Sequence, residues 1–215
     1  MSELNVGALR EKASAQAFRL MMWGFLFLIP TSLQLGGGTV AVELLPDAIG
    51  WALIVAALGR LAGLGGPLPW LRAMAVVGFV ISLPRLAAYH PAGPPLGELY
   101  QALYMAELAL AVVFTWTLAG TVAGAARAAG AKSVASEAGT RRWAYAAVLG
   151  VLIGTLAAPR DRNVLKLGGT VAFYFLSVCA AALWMSLMST TARLCDQLRS
   201  EGTGAKPASE SGPGE

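Results

Sequence analysis

Apolar runs of about 20 residues recur along this chain and limit its fold more than any other feature, because one such run, as a helix, spans a bilayer. Of its 215 residues, 56% are hydrophobic and only 13% are charged, whereas soluble domains carry about 25% charged residues. The sequence therefore predicts an all-α fold, a polytopic membrane helix bundle. Its length leaves room for roughly six transmembrane helices and no separate soluble domain.

Glycine and proline residues divide the apolar sequence into six predicted spans. The spans cover residues 17–35, 46–64, 70–88, 99–126, 142–158 and 164–198, and Pro30 predicts a kink in the first of them. Residues 1–16 predict a cytoplasmic amphipathic lead-in, capped at Ser2, with no cleavable signal peptide, so the first span is expected to direct insertion. Residues 199–215 are rich in Gly, Ser, Pro and Glu and predict a disordered cytoplasmic tail, which leaves 17–198 as the transmembrane domain.

Positive charges predict the orientation of these six spans. With both termini in the cytoplasm, twelve Lys and Arg residues fall in inner segments and four in outer segments, as the positive-inside rule expects. The inner residues are Arg10, Lys12, Arg19, Arg60, Arg72, Arg127, Lys132, Arg141, Arg142, Arg193, Arg199 and Lys206, and the outer ones are Arg85, Arg160, Arg162 and Lys166. Three of those four lie in one short loop. A re-entrant fifth span would make that loop cytoplasmic and move the C-terminus outside.

The sequence lacks the residues that are typical of several functional classes. The net charge of +4 follows from membrane orientation, and no soluble element combines aromatic and basic residues, so nucleic acid is not an expected partner. Cys179 and Cys195 lie 16 positions apart on one predicted helix, roughly 24 Å, which excludes a disulfide between them. With His90 as the single histidine, no zinc site is expected, and the common hydrolase and phosphate-binding motifs are absent. We therefore expect no cofactor and no enzyme.

Asp47 begins the second span in the stretch "LLPDAIGWALIVAALGRL". An aspartate after a proline at a helix start is a good N-cap, and its negative charge suits the positive end of the helix dipole. The alternative is that its carboxylate serves a proton or cation site facing a cavity. A carboxylate that caps the helix can also serve such a site, so both interpretations stay open.

Glu107 lies inside the fourth span, where a carboxylate is costly and normally faces protein or water. Tyr100, Tyr104 and Glu107 follow the i, i+4, i+7 spacing of one helix face. Arg85 lies near the outer end of the third span, in the same half of the membrane as Asp47. The sequence thus predicts an outward-facing polar pocket in which Arg85 pairs with Glu107 or Asp47. The alternative is a structural ion pair with an interfacial aromatic belt.

The stretch from Leu45 to Leu61 resembles a family of small bacterial multi-pass membrane proteins in which leucine-proline-aspartate, then isoleucine-glycine-aromatic, opens a span. Pro46, Asp47, Gly50 and Trp51 carry the resemblance, and Trp51 stands where tyrosine is more common. The resemblance implies a bacterial plasma-membrane location, with Asp47 and Gly50 as signature positions. It transfers no activity.

Three functional classes follow from these expectations. The first is a non-catalytic membrane component in contact with the lipid bilayer, with other membrane subunits as partners and an outward-facing polar pocket. The second is a small-molecule binding or transport subunit, since six spans in about 200 residues are similar in architecture to the substrate-binding components of vitamin importers. The third is an intramembrane enzyme.

Overall fold

The computed structural model describes residues 5–28, 32–35, 40–43, 47–88, 97–157 and 163–204, and α-helices dominate these ranges. The helices are α1 (Lys12–Phe27), α2 (Asp47–Arg60), α3 (Leu68–Ala88), α4 (Gly97–Ala128), α5 (Lys132–Ala157) and α6 (Asn163–Gly204). Short 3₁₀ turns at Val6–Arg10 and Ala62–Leu64 precede α1 and follow α2. The predicted all-α class is confirmed, and the helices correspond one to one with the six predicted apolar segments.

The prediction that the first span reaches Leu35 is wrong, because α1 ends at Phe27. Strands β1 (Ser32–Leu35) and β2 (Val40–Glu43) follow as an antiparallel pair, with Ser32 opposite Glu43 and Leu35 opposite Val40. Proline cannot donate a backbone hydrogen bond and disfavours helical geometry in the residue before it, so Pro30 opposes continuation of the helix. The predicted kink at Pro30 lies outside the described residues.

Three other boundaries differ from the sequence prediction. The lead-in contains a 3₁₀ turn in which the Gly7 N–H donates to the Asn5 side chain over 3.0 Å, and Ser2 lies outside the described residues. Helix α5 begins at Lys132, ten residues before the predicted span at 142. Helix α6 continues to Gly204, so the first six residues of the predicted tail, 199–204, are helical, and the rest of that tail is not described.

The six helices form a closed ring. Each helix packs against the next in sequence, and α6 packs back against α1. The interior is filled by large buried apolar side chains from α1, α2, α3, α4 and α6, among them Met21, Trp51, Ile54, Leu58, Leu71, Phe114, Leu118, Trp184 and Leu187. Ring closure brings residues from the first and last helices to one interior.

Contacts between chain segments define the two ends of the ring. The Asn5 N–H donates to the Leu64 carbonyl over 3.0 Å, and Gly202 lies against the side chain of Arg10. A small apolar pocket lined by Leu9, Leu64 and Ala126 adds the end of α4, which leads into α5. The starts of α1, α3 and α5 and the ends of α2, α4 and α6 therefore lie at one end, which we call the polar end. The opposite end, where α2, α4 and α6 begin, is called the cavity end.

Two glycines allow α1 and α2 to cross closely near the cavity end. A Cβ on Gly24 would lie 2.7 Å from Ile54 Cγ1 and 2.9 Å from the Gly50 carbonyl oxygen, and a Cβ on Gly50 would lie 2.7 Å from the Gly24 carbonyl oxygen. These separations are well inside normal carbon contact distances. The crossing therefore requires glycine on both helices and fixes where α2 begins relative to α1.

Two segments among the described residues are long and apolar enough to cross a membrane: Met105–Ala128 in α4 and Phe175–Gly202 in α6. A shorter apolar helical segment covers Leu68–Pro84 in α3. Length and composition support membrane association only weakly, because a core helix of a soluble protein meets the same criteria.

Candidate functional site

A cavity of about 70 Å³ lies inside the ring near the cavity end. Helices α1, α2, α4, α5 and α6 each contribute to its wall, and its lining combines carboxylates, hydroxyls and aromatic rings. The lining residues are Phe25, Leu28, Asp47, Trp51, Glu107, Leu108, Ala111, Thr115, Tyr145, Ser177, Ala180, Ala181 and Trp184. The volume is enough for roughly five water-sized groups.

Two carboxylates from different helices line this cavity. Asp47 is 7% exposed in the first turn of α2, and Glu107 is 6% exposed on α4. Asp47 is the first residue of α2, so its carboxylate lies at the positive end of the helix dipole, which favours a negative charge there. The predicted N-cap hydrogen bond of Asp47 stays a prediction. Asp47 therefore opens α2 and also contributes to the cavity wall, so the helix-start role and the cavity role coexist.

Trp51 connects the α2 side of the cavity to Glu107 on α4. Its indole Nε1–H donates to Glu107 Oε1 over 2.8 Å, a bond strengthened by the charge of the acceptor when Glu107 is ionised. The indole also makes an edge-to-face contact with Phe114, with ring centroids 5.5 Å apart. On its other side, a Cβ on Gly78 would lie 2.6 Å from the indole, so α3 admits the ring only because residue 78 is glycine.

Aromatic rings form the α1, α5 and α6 side of the cavity. Phe25 stacks on Trp184 with centroids 5.1 Å apart, and Tyr145 meets Trp184 edge to face at 5.3 Å. Tyr145 also shares a side-chain hydrogen bond with Thr115, whose hydroxyl donates to the Ala111 carbonyl. These contacts fix the relative orientation of the rings. The hydroxyl proton of Thr115 is used in a hydrogen bond within α4.

Trp184 carries an unsatisfied donor. The side chain is 2% exposed and lines the cavity, yet its indole Nε1–H has no hydrogen-bond partner within the part of the chain that the structure describes. Buried indole N–H groups normally find a partner, and leaving one unsatisfied costs about 1–3 kcal/mol. Water or a bound molecule with an acceptor atom would remove that cost.

The structure brings together part of the predicted pocket. Asp47 and Glu107, two of the predicted pocket residues, line one cavity. The backbones of Arg85 on α3 and of Tyr100 and Tyr104 on α4 are helical, but their side chains, and Pro46, lie outside what the structure describes. The pairing of Arg85 with Glu107 or Asp47 therefore stays a prediction.

Two motif positions from the resemblance acquire a structural role. Gly50 forms the close crossing of α2 with α1, and Trp51 binds Glu107 across the interior. Sequence analysis did not assign Thr115, Tyr145 or Trp184 to the pocket. The one available indication was that each of these residues carries a polar group within an apolar segment. That pattern does not indicate which helices contact one another.

Metal binding finds no support in the described residues, where no group of three or more His, Cys, Asp or Glu side chains is arranged to hold an ion. Comparison of the chain with protein-family models, with curated proteins and with solved structures finds no match in any of the three.

Proposed function

We propose that this chain is a non-catalytic multi-pass membrane protein, with six spans and both termini in the cytoplasm, that binds a small polar solute in its central cavity. The observation that carries the proposal is the burial of Asp47 and Glu107 against one cavity inside the ring. Buried carboxylates are costly unless they are paired or hydrogen-bonded, and within a membrane they commonly mark a binding site. The bacterial plasma membrane, implied by the resemblance in α2, is the location that we propose.

Exposed apolar side chains support six membrane spans. All six helices carry at least one large apolar residue that is more than two-fifths exposed, whereas soluble monomers rarely expose broad apolar surface. They include Trp23 on α1, Ile49 on α2, Val76, Val77, Val80 and Leu83 on α3, Val113 on α4, Val151 on α5, and Phe175 and Val178 on α6. Hydrocarbon is the environment in which these side chains carry no penalty.

The distribution of charge along the ring supports the same conclusion and gives the orientation. Among side chains that the structure describes, the charged ones belong to the polar end and the adjoining part of the helices, with Asp47 and Glu107 as the exceptions. Basic residues are in the majority there and include Arg10, Lys12, Arg60, Arg72, Arg127, Lys132, Arg141, Arg193 and Arg199. By the positive-inside rule, the polar end faces the cytoplasm and the cavity end faces outward.

Binding fits the cavity better than catalysis. The described lining holds no His, Cys or Lys, so its two carboxylates are the groups there that could act as a base. The Thr115 hydroxyl already donates to backbone carbonyls of α4. The lining instead combines apolar surface with a few polar groups, which is typical of small-molecule sites.

Native mass spectrometry of protein extracted gently from its own membrane tests this proposal. The wild type should retain a small solute, and Ala111→Leu, which fills the cavity wall, should lose it. Ala106→Leu makes the same change on an exposed position of α4 and should retain the solute. A wild-type chain that carries only ordinary lipids would favour a purely structural membrane component.

A further inference from the structure

We infer that the solute is a small organic ammonium that also bears a hydrogen-bond acceptor, with a short amino alcohol as the simplest example. This inference rests on the proposed function, because it names the chemical class of the solute in the same cavity. Three features of the cavity determine the class: its charge, its aromatic wall and its unsatisfied donor.

The charge of the cavity favours a cation. Asp47 and Glu107 are two acids, and the described lining contains no basic side chain. Carboxylate oxygens accept hydrogen bonds from an ammonium group and attract its charge, and that attraction is strong where water is largely excluded.

The aromatic wall favours an organic cation over a metal ion. Phe25, Trp51, Tyr145 and Trp184 all line the cavity, and aromatic faces attract ammonium groups at about 6 Å or less from the ring centre. Calcium and magnesium instead need six or more oxygen ligands. A compact ammonium can donate to the carboxylates while its carbon atoms contact the rings.

The unsatisfied Trp184 donor adds a requirement that a plain alkylamine does not meet. Trp51 uses its N–H on Glu107, whereas the Trp184 N–H has no partner among the described residues. An acceptor oxygen on the solute would satisfy it. The cavity volume of about 70 Å³ limits such a molecule to a few non-hydrogen atoms.

Equilibrium binding to the full chain in lipid nanodiscs tests this inference with defined probes. Ethanolamine and 3-amino-1-propanol carry both groups, propylamine lacks the acceptor, and 1,3-propanediol lacks the charge. We expect the better of the two amino alcohols to bind about threefold to tenfold more tightly than propylamine, the effect of one neutral hydrogen bond, and the diol to bind weakest.

Two variants assign the contacts. Glu107→Gln keeps an acceptor for Trp51 but removes a charge, and it should weaken both amines about tenfold to a hundredfold. Trp184→Phe keeps a ring but removes the donor, so it should weaken the amino alcohol more than propylamine and close most of the gap between their affinities. The matched controls, Asp196→Asn and Trp70→Phe, change an acid and a tryptophan outside the cavity and should alter neither affinity.

The outcomes separate this inference from the proposed function. A diol that binds as tightly as the amines, with no effect of Glu107→Gln, would overturn the ammonium class but keep a small-solute site. Equal affinities of amino alcohol and propylamine would overturn the role of Trp184. Retention of a native solute without binding of any amine probe would overturn this inference alone, whereas failure of both would overturn the proposed function as well.

Discussion

Gly78→Ala is expected to destabilise the protein strongly, because residue 78 lies against the Trp51 indole. A Cβ at this position would lie 2.6 Å from Cδ2 and Cε2 of Trp51 and 2.9 Å from Cε3. Carbon atoms in contact are normally separated by about 3.5–4.0 Å. The indole or α3 must therefore move by about 1 Å.

The magnitude follows from two costs. Overpacking of a buried site costs about 1–3 kcal/mol. If the indole moves, its 2.8 Å hydrogen bond to Glu107 is also lost, and a bond to a charged group contributes about 1.5–3 kcal/mol. We therefore expect a loss of about 2.5–6 kcal/mol in the free energy of unfolding if both costs apply.

Reversible unfolding in mixed micelles, followed by circular dichroism, measures this loss. Gly150→Ala is the matched control, because a Cβ there meets nothing within 4 Å, and it should be neutral or stabilising by up to about 1 kcal/mol. The Trp51→Leu background supplies a second comparison, since removing the indole should abolish most of the cost of Gly78→Ala. A cost below about 0.5 kcal/mol, or an equal cost in both backgrounds, would refute the reasoning.

Three further predictions follow from the same contacts. Gly24→Ala should lower the free energy of unfolding by about 1–3 kcal/mol, because its Cβ would meet the backbone of α2. Gly139→Ala is the control, since a Cβ there meets open space. Equal losses of the two variants in chemical denaturation would contradict the close crossing. Asp196→Asn removes a solvent-exposed ion pair with α1 and should cost at most about 1 kcal/mol in the same assay. In a cysteine-free background, a cysteine at Ser133 should resist an impermeant thiol reagent applied to intact cells while one at His90 reacts, and the reverse pattern would invert the orientation.

The apolar helices illustrate what apolar sequence can predict. A helix of about 20 apolar residues follows from composition and from breaking residues alone, so the bounds of α2, α3 and α4 were predicted to within a few residues. The hairpin was missed because "SLQL" and "VAVE" were included in or beside an apolar run. The polar–apolar alternation of "SLQL", the valines of "VAVE" and the glycine-rich connection between them are together the local pattern of a hairpin.

The site was predictable only in part. Asp47 and Glu107 stood out because carboxylates are rare and costly in apolar segments. Nothing local indicated Trp184 or Tyr145, because the sequence around them does not distinguish the outer face of a helix from the face toward the interior of the ring. In a soluble helix, the polar face would have made that distinction.

By itself, the sequence determined the all-α class, the number of helices and the helix that starts at Asp47, since these properties depend on composition and on interactions between neighbouring residues. Only the tertiary structure decided which residues meet. Ring closure between α1 and α6, the crossing at Gly24 and Gly50, and the bond from Trp51 to Glu107 all join distant segments. Such contacts depend on how side chains of several helices fit together, and no local pattern encodes that fit.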